Sequence, residues 1–157
     1  MVKSKDYEIH FSALKLGTHL FNFDIEDVFF TLFDYSEIEK VNLNLGVTLI
    51  KKSNLMQLDF VLLGQVALTC DRCAEDYLQK INQHFKLIVK FSDSTESDEN
   101  DEIIILPTRE HTISLTQYIY EFVHLSLPLK RTHKTERNEL LPQRGREATA
   151  TRRRKRR

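Results

Sequence analysis

Between Val41 and Leu49 the chain alternates with a period of two. Val41, Leu43, Leu45, Val47 and Leu49 are apolar, and Asn42, Asn44, Gly46 and Thr48 stand between them. Successive side chains of a strand point to opposite faces, so this stretch predicts a strand with one apolar face. "KKSN" at 51–54 interrupts with turn-compatible residues. Alternation then resumes: Met56, Leu58, Phe60, Leu62, Val66 and Leu68 share one side, and Gln57, Asp59, Gln65 and Thr69 the other. Two long strands joined by a short polar loop predict an antiparallel hairpin. Gly64 falls inside the second strand, a position that suggests a bulge or a sharp bend.

The next segment reads two ways. Ala74, Tyr77, Leu78, Ile81 and Phe85 fit helical spacing, whereas Tyr77, Ile81, Phe85, Leu87, Val89 and Phe91 fit strand spacing. The strand-forming residues of "FKLIVKF" decide for a third strand past Ile81. "SDSTESDENDE" at 92–102 has no apolar residue and reads as a solvated loop, and "EIIIL" reads as a short strand ended by Pro107. Two helices are predicted. The first starts at Asp24, with Asp27 in a loose capping arrangement, and carries Val28, Phe29, Leu32 and Phe33. The second opens with Ser114 and Gln117 at capping-box spacing, presents Leu115, Ile119, Phe122 and Val123, and stops before Pro128. Around Gly17, Tyr7 to Leu14 and Thr18 to Phe23 suggest short strands. The expected fold is a single α+β domain over 1–132. Its frame is an antiparallel β-meander of long strands with two packed helices, followed by a disordered basic C-terminal tail at 133–157.

Charge sharpens that division. The chain's formal net charge is zero, with 23 basic and 23 acidic residues. From Arg144 to Arg157, however, eight basic residues face one acid, which leaves 15 basic and 22 acidic residues before them. An acidic body with a basic end is expected to meet its partners differently from a uniformly neutral protein. The start, "MVKSKDYEIHF", has no apolar run of the secretory kind, and no apolar stretch approaches membrane-spanning length. The expectation is a soluble cytoplasmic protein, with no membrane partner.

Chemistry is concentrated in "LTCDRCAEDY", which holds the only two cysteines, Cys70 and Cys73. The strand pattern puts them in the turn between the second and third strands. Two thiolates at this spacing can bind one zinc ion, but a tetrahedral site needs two more ligands. His10, His19, His84, His111, His124 and His133 are the histidine candidates, and none has the spacing of a zinc finger. A redox pair is a second reading, with Arg72 favouring a thiolate, although no βαβ surroundings support it. The simplest reading on spacing alone makes Cys70 a small buried hydrophobe and Cys73 a turn residue. No phosphate loop, dinucleotide fingerprint, HExxH or nucleophile elbow occurs, so nothing argues for an enzyme or a small-molecule substrate.

Two segments together resemble a bacterial family. "GQVALTCDRCAEDY" gives a strand followed by C-x-R-C, and "ISLTQYIYEFVHLSLPLKRTH" gives an apolar entry, a helix and a Leu-Pro segment. With "DEIIILP" between them, their order resembles the YceD-like family, the large ribosomal RNA subunit accumulation proteins. The resemblance covers roughly Val41 to His133. It implies a cytoplasmic, non-catalytic ribosome biogenesis factor that binds ribosomal RNA, a large-subunit ribosomal protein, or both. It also implies a metal site, with zinc the cofactor, in which Cys70 and Cys73 match the family pattern and His133 stands where a histidine ligand would. Many members carry a further cysteine after the Leu-Pro segment; its absence here leaves the fourth ligand unassigned. Near His133, where the likeness stops and arginines begin, either a frame change in the gene or a genuine RNA-contacting arm would account for the switch.

Overall fold

The computed structural model describes residues 4–93 and 102–133. Its frame is a sheet of four antiparallel strands in chain order: β2 (Gly17–Glu26), β3 (Val41–Lys51), β4 (Leu55–Thr69) and β5 (Asp76–Phe91). A fifth strand, β6 (Ile103–Leu106), pairs with the end of β5, and a two-stranded ribbon joins β1 (Glu8–Ile9) to β7 (Ile113–Ser114). The helices are α1 (Asp27–Phe30) and α2 (Thr116–Ser126). The α+β class and the meander of long strands are as the sequence predicts, and the tail expected at 133–157 lies outside the described residues except for His133.

Parity sets the buried side. Leu43, Leu45, Leu49, Met56, Leu58, Leu62 and Val66 are buried on one face of β3 and β4. Each such side chain contributes about 1.5–3 kcal/mol relative to exposure, so a one-residue slip in register would forfeit most of the core. Helix α2 covers this face. Its eleven residues are too few to hold a helix alone, and the buried Thr116, Ile119, Phe122 and Val123 anchor it. At the other end of the sheet Phe29 of α1 meets the ring of Tyr7 edge-on at 4.9 Å. The opposite face of the sheet carries the exposed Leu20, Leu63 and Leu78 among Asn22, Asn44, Lys80, His84 and Lys86.

Several local expectations are corrected. Pairing runs through Gly64 without an extra residue, so there is no bulge. Glycine is required there for two other reasons: φ is +143°, and a Cβ would lie 2.2 Å from the Asn42 carbonyl oxygen. Residues 24–26 extend β2 instead of opening a helix, because their ladder to Asn42–Asn44 satisfies more backbone groups than one helical turn can. The Asp27 carboxylate caps nothing; it accepts the Val41 N–H at 2.6 Å. No capping box forms on α2 either. Ser114 is held in β7, and Gln117 donates to Glu121 at 2.9 Å.

The remaining differences concern strand extents. Strand β5 begins at Asp76, five residues before Ile81, because Tyr77 to Ile81 find their ladder partners on β4. At the amino end only Glu8–Ile9 is strand within 7–14, between two short 3-10 turns. Strand β6 runs parallel to β5, so the sheet is not antiparallel throughout. All four of its residues are half-buried, as an apolar run without alternation requires. Of the acidic stretch expected as a loop, residues 94–101 lie outside the described residues.

Candidate metal centre at the β4–β5 turn

The turn that joins β4 to β5 is short and heavily tied. The Cys70 N–H donates to the Glu75 carbonyl at 2.9 Å, and the Ala74 N–H donates to the Cys70 carbonyl at 2.9 Å. Ala74 has a φ of 58°, a left-handed conformation that costs a non-glycine residue roughly 1–2 kcal/mol. That conformation bends the chain so that backbone N–H groups face the sulfurs. Cys70 is buried, and Cys73 is exposed.

The two thiols differ sharply. N–H donors from His133, then Arg72 and Cys73, surround the Cys70 sulfur and outweigh its desolvation, lowering its pKa to about 6. A thiol in that position is a thiolate at neutral pH, the form that binds metal. At Cys73 the Glu75 backbone donor pulls the pKa down. Desolvation, the neighbouring Cys70 and the Glu75 carboxylate oppose that pull and carry the balance upward.

His133 arrives from the far end of the described chain. After α2 the backbone returns to the turn, where the Asp71 N–H donates to the Arg131 carbonyl at 2.7 Å. In return the Asp71 carboxylate accepts the Arg131 N–H at 2.9 Å. Two residues on, the His133 ring lies 5.3 Å from the ring of Tyr77. Its Nδ1 is buried and has no hydrogen-bond partner among the described residues. One ligand atom each from Cys70, Cys73 and His133 lies within 4.8 Å of the other two.

This donor set fits zinc. Bond lengths of about 2.0–2.3 Å put tetrahedral ligands roughly 3.3–3.8 Å apart, so the trio would close by about 1.5 Å or less onto one ion. Two thiolates and an imidazole are the borderline-soft combination that zinc prefers. The chemistry of the donor set carries the fit: two thiols and an imidazole, brought to one turn from distant parts of the chain, offer their ligand atoms to a common point.

The three residues expected as ligands are thus brought together, across the gap between residue 73 and residue 133. Among the other histidine candidates, His124 hydrogen-bonds the Tyr120 carbonyl through Nδ1 and His19 the Lys15 carbonyl through Nε2, both at 2.8 Å. His84 faces solvent on the open side of the sheet. Sequence reasoning missed Asp71 and Glu75, which the turn uses directly. Their only signal was the presence of acids on either side of the second thiol.

The family described as "Large ribosomal RNA subunit accumulation protein YceD" matches residues 58–156. The match takes in both cysteines, α2 and His133. It begins later than Val41, and it runs through the basic segment. The likeness therefore does not stop near His133, and the idea of a frame change loses its premise. No curated protein and no solved structure matches the chain. Among the described residues no helix is long and apolar enough to cross a membrane.

Proposed function

Because the chain belongs to the YceD family of large ribosomal RNA subunit accumulation proteins, we propose that it is a non-catalytic, cytoplasmic factor in large-subunit assembly that binds ribosomal RNA, a large-subunit ribosomal protein, or both. The family match over residues 58–156 carries this reading. The uncovered sheet face supports a macromolecular partner. It mixes exposed Leu20, Leu63 and Leu78 with amides and the cations of Lys80 and Lys86. The surplus of acids before residue 144 suits a basic ribosomal protein, and the arginines after it suit RNA phosphates.

In this reading Cys70, Cys73 and His133 hold a structural zinc ion. When bound, the ion joins two thiolates and an imidazole into one cross-link and supplies no reactive centre. The protein's own residues do the positioning: Asp71 seats the 131–133 segment, and backbone N–H groups keep Cys70 ionised. A thiol oxidoreductase is less well supported. Its attacking thiol should be the accessible one with the lowered pKa, and here the lowered pKa belongs to the buried Cys70.

The test is a pull-down of the tagged full chain from cells, before and after nuclease. Large-subunit ribosomal RNA that co-purifies and carries proteins lost on digestion identifies RNA as the direct partner. A ribosomal protein retained after digestion identifies protein. Recovery of neither above a tag-only control would remove the reading.

A further inference from the structure

A structural zinc site takes four protein ligands, and the thiols with His133 supply three. We propose that the carboxylate of Glu75 is the fourth ligand, completing a site of two thiolates, one imidazole and one carboxylate and closing its solvent side. This inference rests on the structural-zinc reading above.

One oxygen of Glu75 faces two of the other donors at once. Its Oε2 lies 3.7 Å from the Cys73 sulfur and 3.9 Å from His133 Nε2. Zinc bonds of about 2.3 Å to sulfur and about 2.0 Å to nitrogen and oxygen give tetrahedral edges of roughly 3.5 Å and roughly 3.3 Å for these pairs. The carboxylate therefore stands within about 0.6 Å of tetrahedral spacing from Cys73 and from Nε2 of His133. It lies outside the group whose donor atoms are all within 4.8 Å of one another, so its side chain must turn inward to meet an ion shared with Cys70. The other acids of the turn are engaged elsewhere: Asp71 accepts the Arg131 N–H, and Asp76 accepts the Thr69 hydroxyl at 2.8 Å.

Exposure fits the same assignment. Cys70 is buried beneath the turn and the His133 side chain is 21% exposed, whereas the Glu75 side chain is 73% exposed. The open position of a three-ligand site would thus face water, and Glu75 stands on that side. Its backbone is already fixed there, because its carbonyl accepts the Cys70 N–H. Only the side-chain torsions remain to be ordered when the ion binds.

The experiment loads the full chain with cobalt(II), which reports coordination by its visible absorption, and measures zinc affinity by competition. The unaltered chain is expected to bind one equivalent, with a tetrahedral spectrum that added azide leaves unchanged. Glu75→Ala is expected to bind more than about 100-fold more weakly, beyond the roughly 10–100-fold typical of losing a supporting group outside the ligand set. Its cobalt spectrum should respond to azide. Glu75→Gln, nearly the same shape, should follow Glu75→Ala, and metal-free melting curves of both should overlay that of the unaltered chain. Zinc affinity of Glu75→Ala within about threefold of the unaltered chain, or an azide response in the unaltered chain itself, overturns the role of Glu75 while leaving the metal reading standing. No stoichiometric uptake by the unaltered chain removes both.

Discussion

Phe85 of β5 and Phe122 of α2 lie face to face, ring centroids 4.3 Å apart and planes 6° from parallel. Phe60 of β4 closes the group at 5.0 Å from Phe122. This contact seats the helix on the sheet, and the placement of residues 127–133, His133 included, depends on that seating. Phe122→Ala should therefore cost about 3–5 kcal/mol in denaturant unfolding, since it removes a buried ring and leaves a cavity. Phe122→Leu should cost less than half as much. Equal losses from the two variants would show that aliphatic bulk cannot stand in for the ring at all, against a cost set by the cavity.

Asp71 controls delivery of the imidazole. Replacing it by alanine removes the carboxylate that accepts the Arg131 N–H and leaves the backbone bond from position 71 intact. A charged acceptor of this kind is worth roughly 1.5–3 kcal/mol when buried, and this one is exposed, so the expected loss of stability is about 1 kcal/mol or less. Zinc affinity should fall by up to about fivefold, the equivalent of that loss, because the segment bearing His133 is then held by fewer contacts. Hydrogen exchange at the Arg131 amide should accelerate in the same variant. Unchanged exchange would mean that the segment is seated by something else.

Metal removal provides a third check. If the thiols and His133 hold zinc, a strong chelator should lower the melting temperature of the unaltered chain by about 5–15 °C, from binding linkage of roughly 4 kcal/mol. Cys73→Ser should melt at the chelated value with or without chelator. Cys73 is exposed, so its replacement does not disturb the core. A chelator effect of equal size in both proteins would remove the cross-link from the picture.

A pH dependence follows from Asp93 and Thr108. The Thr108 hydroxyl and then its N–H donate to the Asp93 carboxylate and lower its pKa below the ordinary 3.8. The carboxylate is stabilised in the folded state, so this contribution is fully present above the unfolded value and disappears as pH falls through the folded one. The site is exposed, which makes the effect small. Thr108→Val should lower the melting temperature at about pH 6 and have a smaller effect at about pH 2.5. A larger effect at the acid end would contradict the sign.

Strand parity made most of the frame legible. Val41 to Leu49 and Met56 to Leu68 announced their buried face because a sheet covered on one side forces alternation. The same rule put Cys70 and Cys73 at a turn. Capping signals failed at Asp24 and Ser114, where ladder pairing to distant strands claimed residues that local spacing assigned to helix starts. The parallel direction of β6 was hidden because four apolar residues carry no directional signal. In the candidate site the thiols were readable from spacing, and His133 entered through family resemblance. The roles of Asp71 and Glu75 had no spacing rule behind them, since they are set by how the turn meets a segment 60 residues away.

That separation also orders events in time. Asp71 and Arg131 are separated by β5, β6, β7 and α2, and closing a loop of this size costs roughly 3–4 kcal/mol that local contacts do not return. The sulfurs and the imidazole are thus strangers in a nascent or half-collapsed chain. Their meeting reports that α2 has docked, so a partner that recognises this corner of the molecule is in effect checking finished copies.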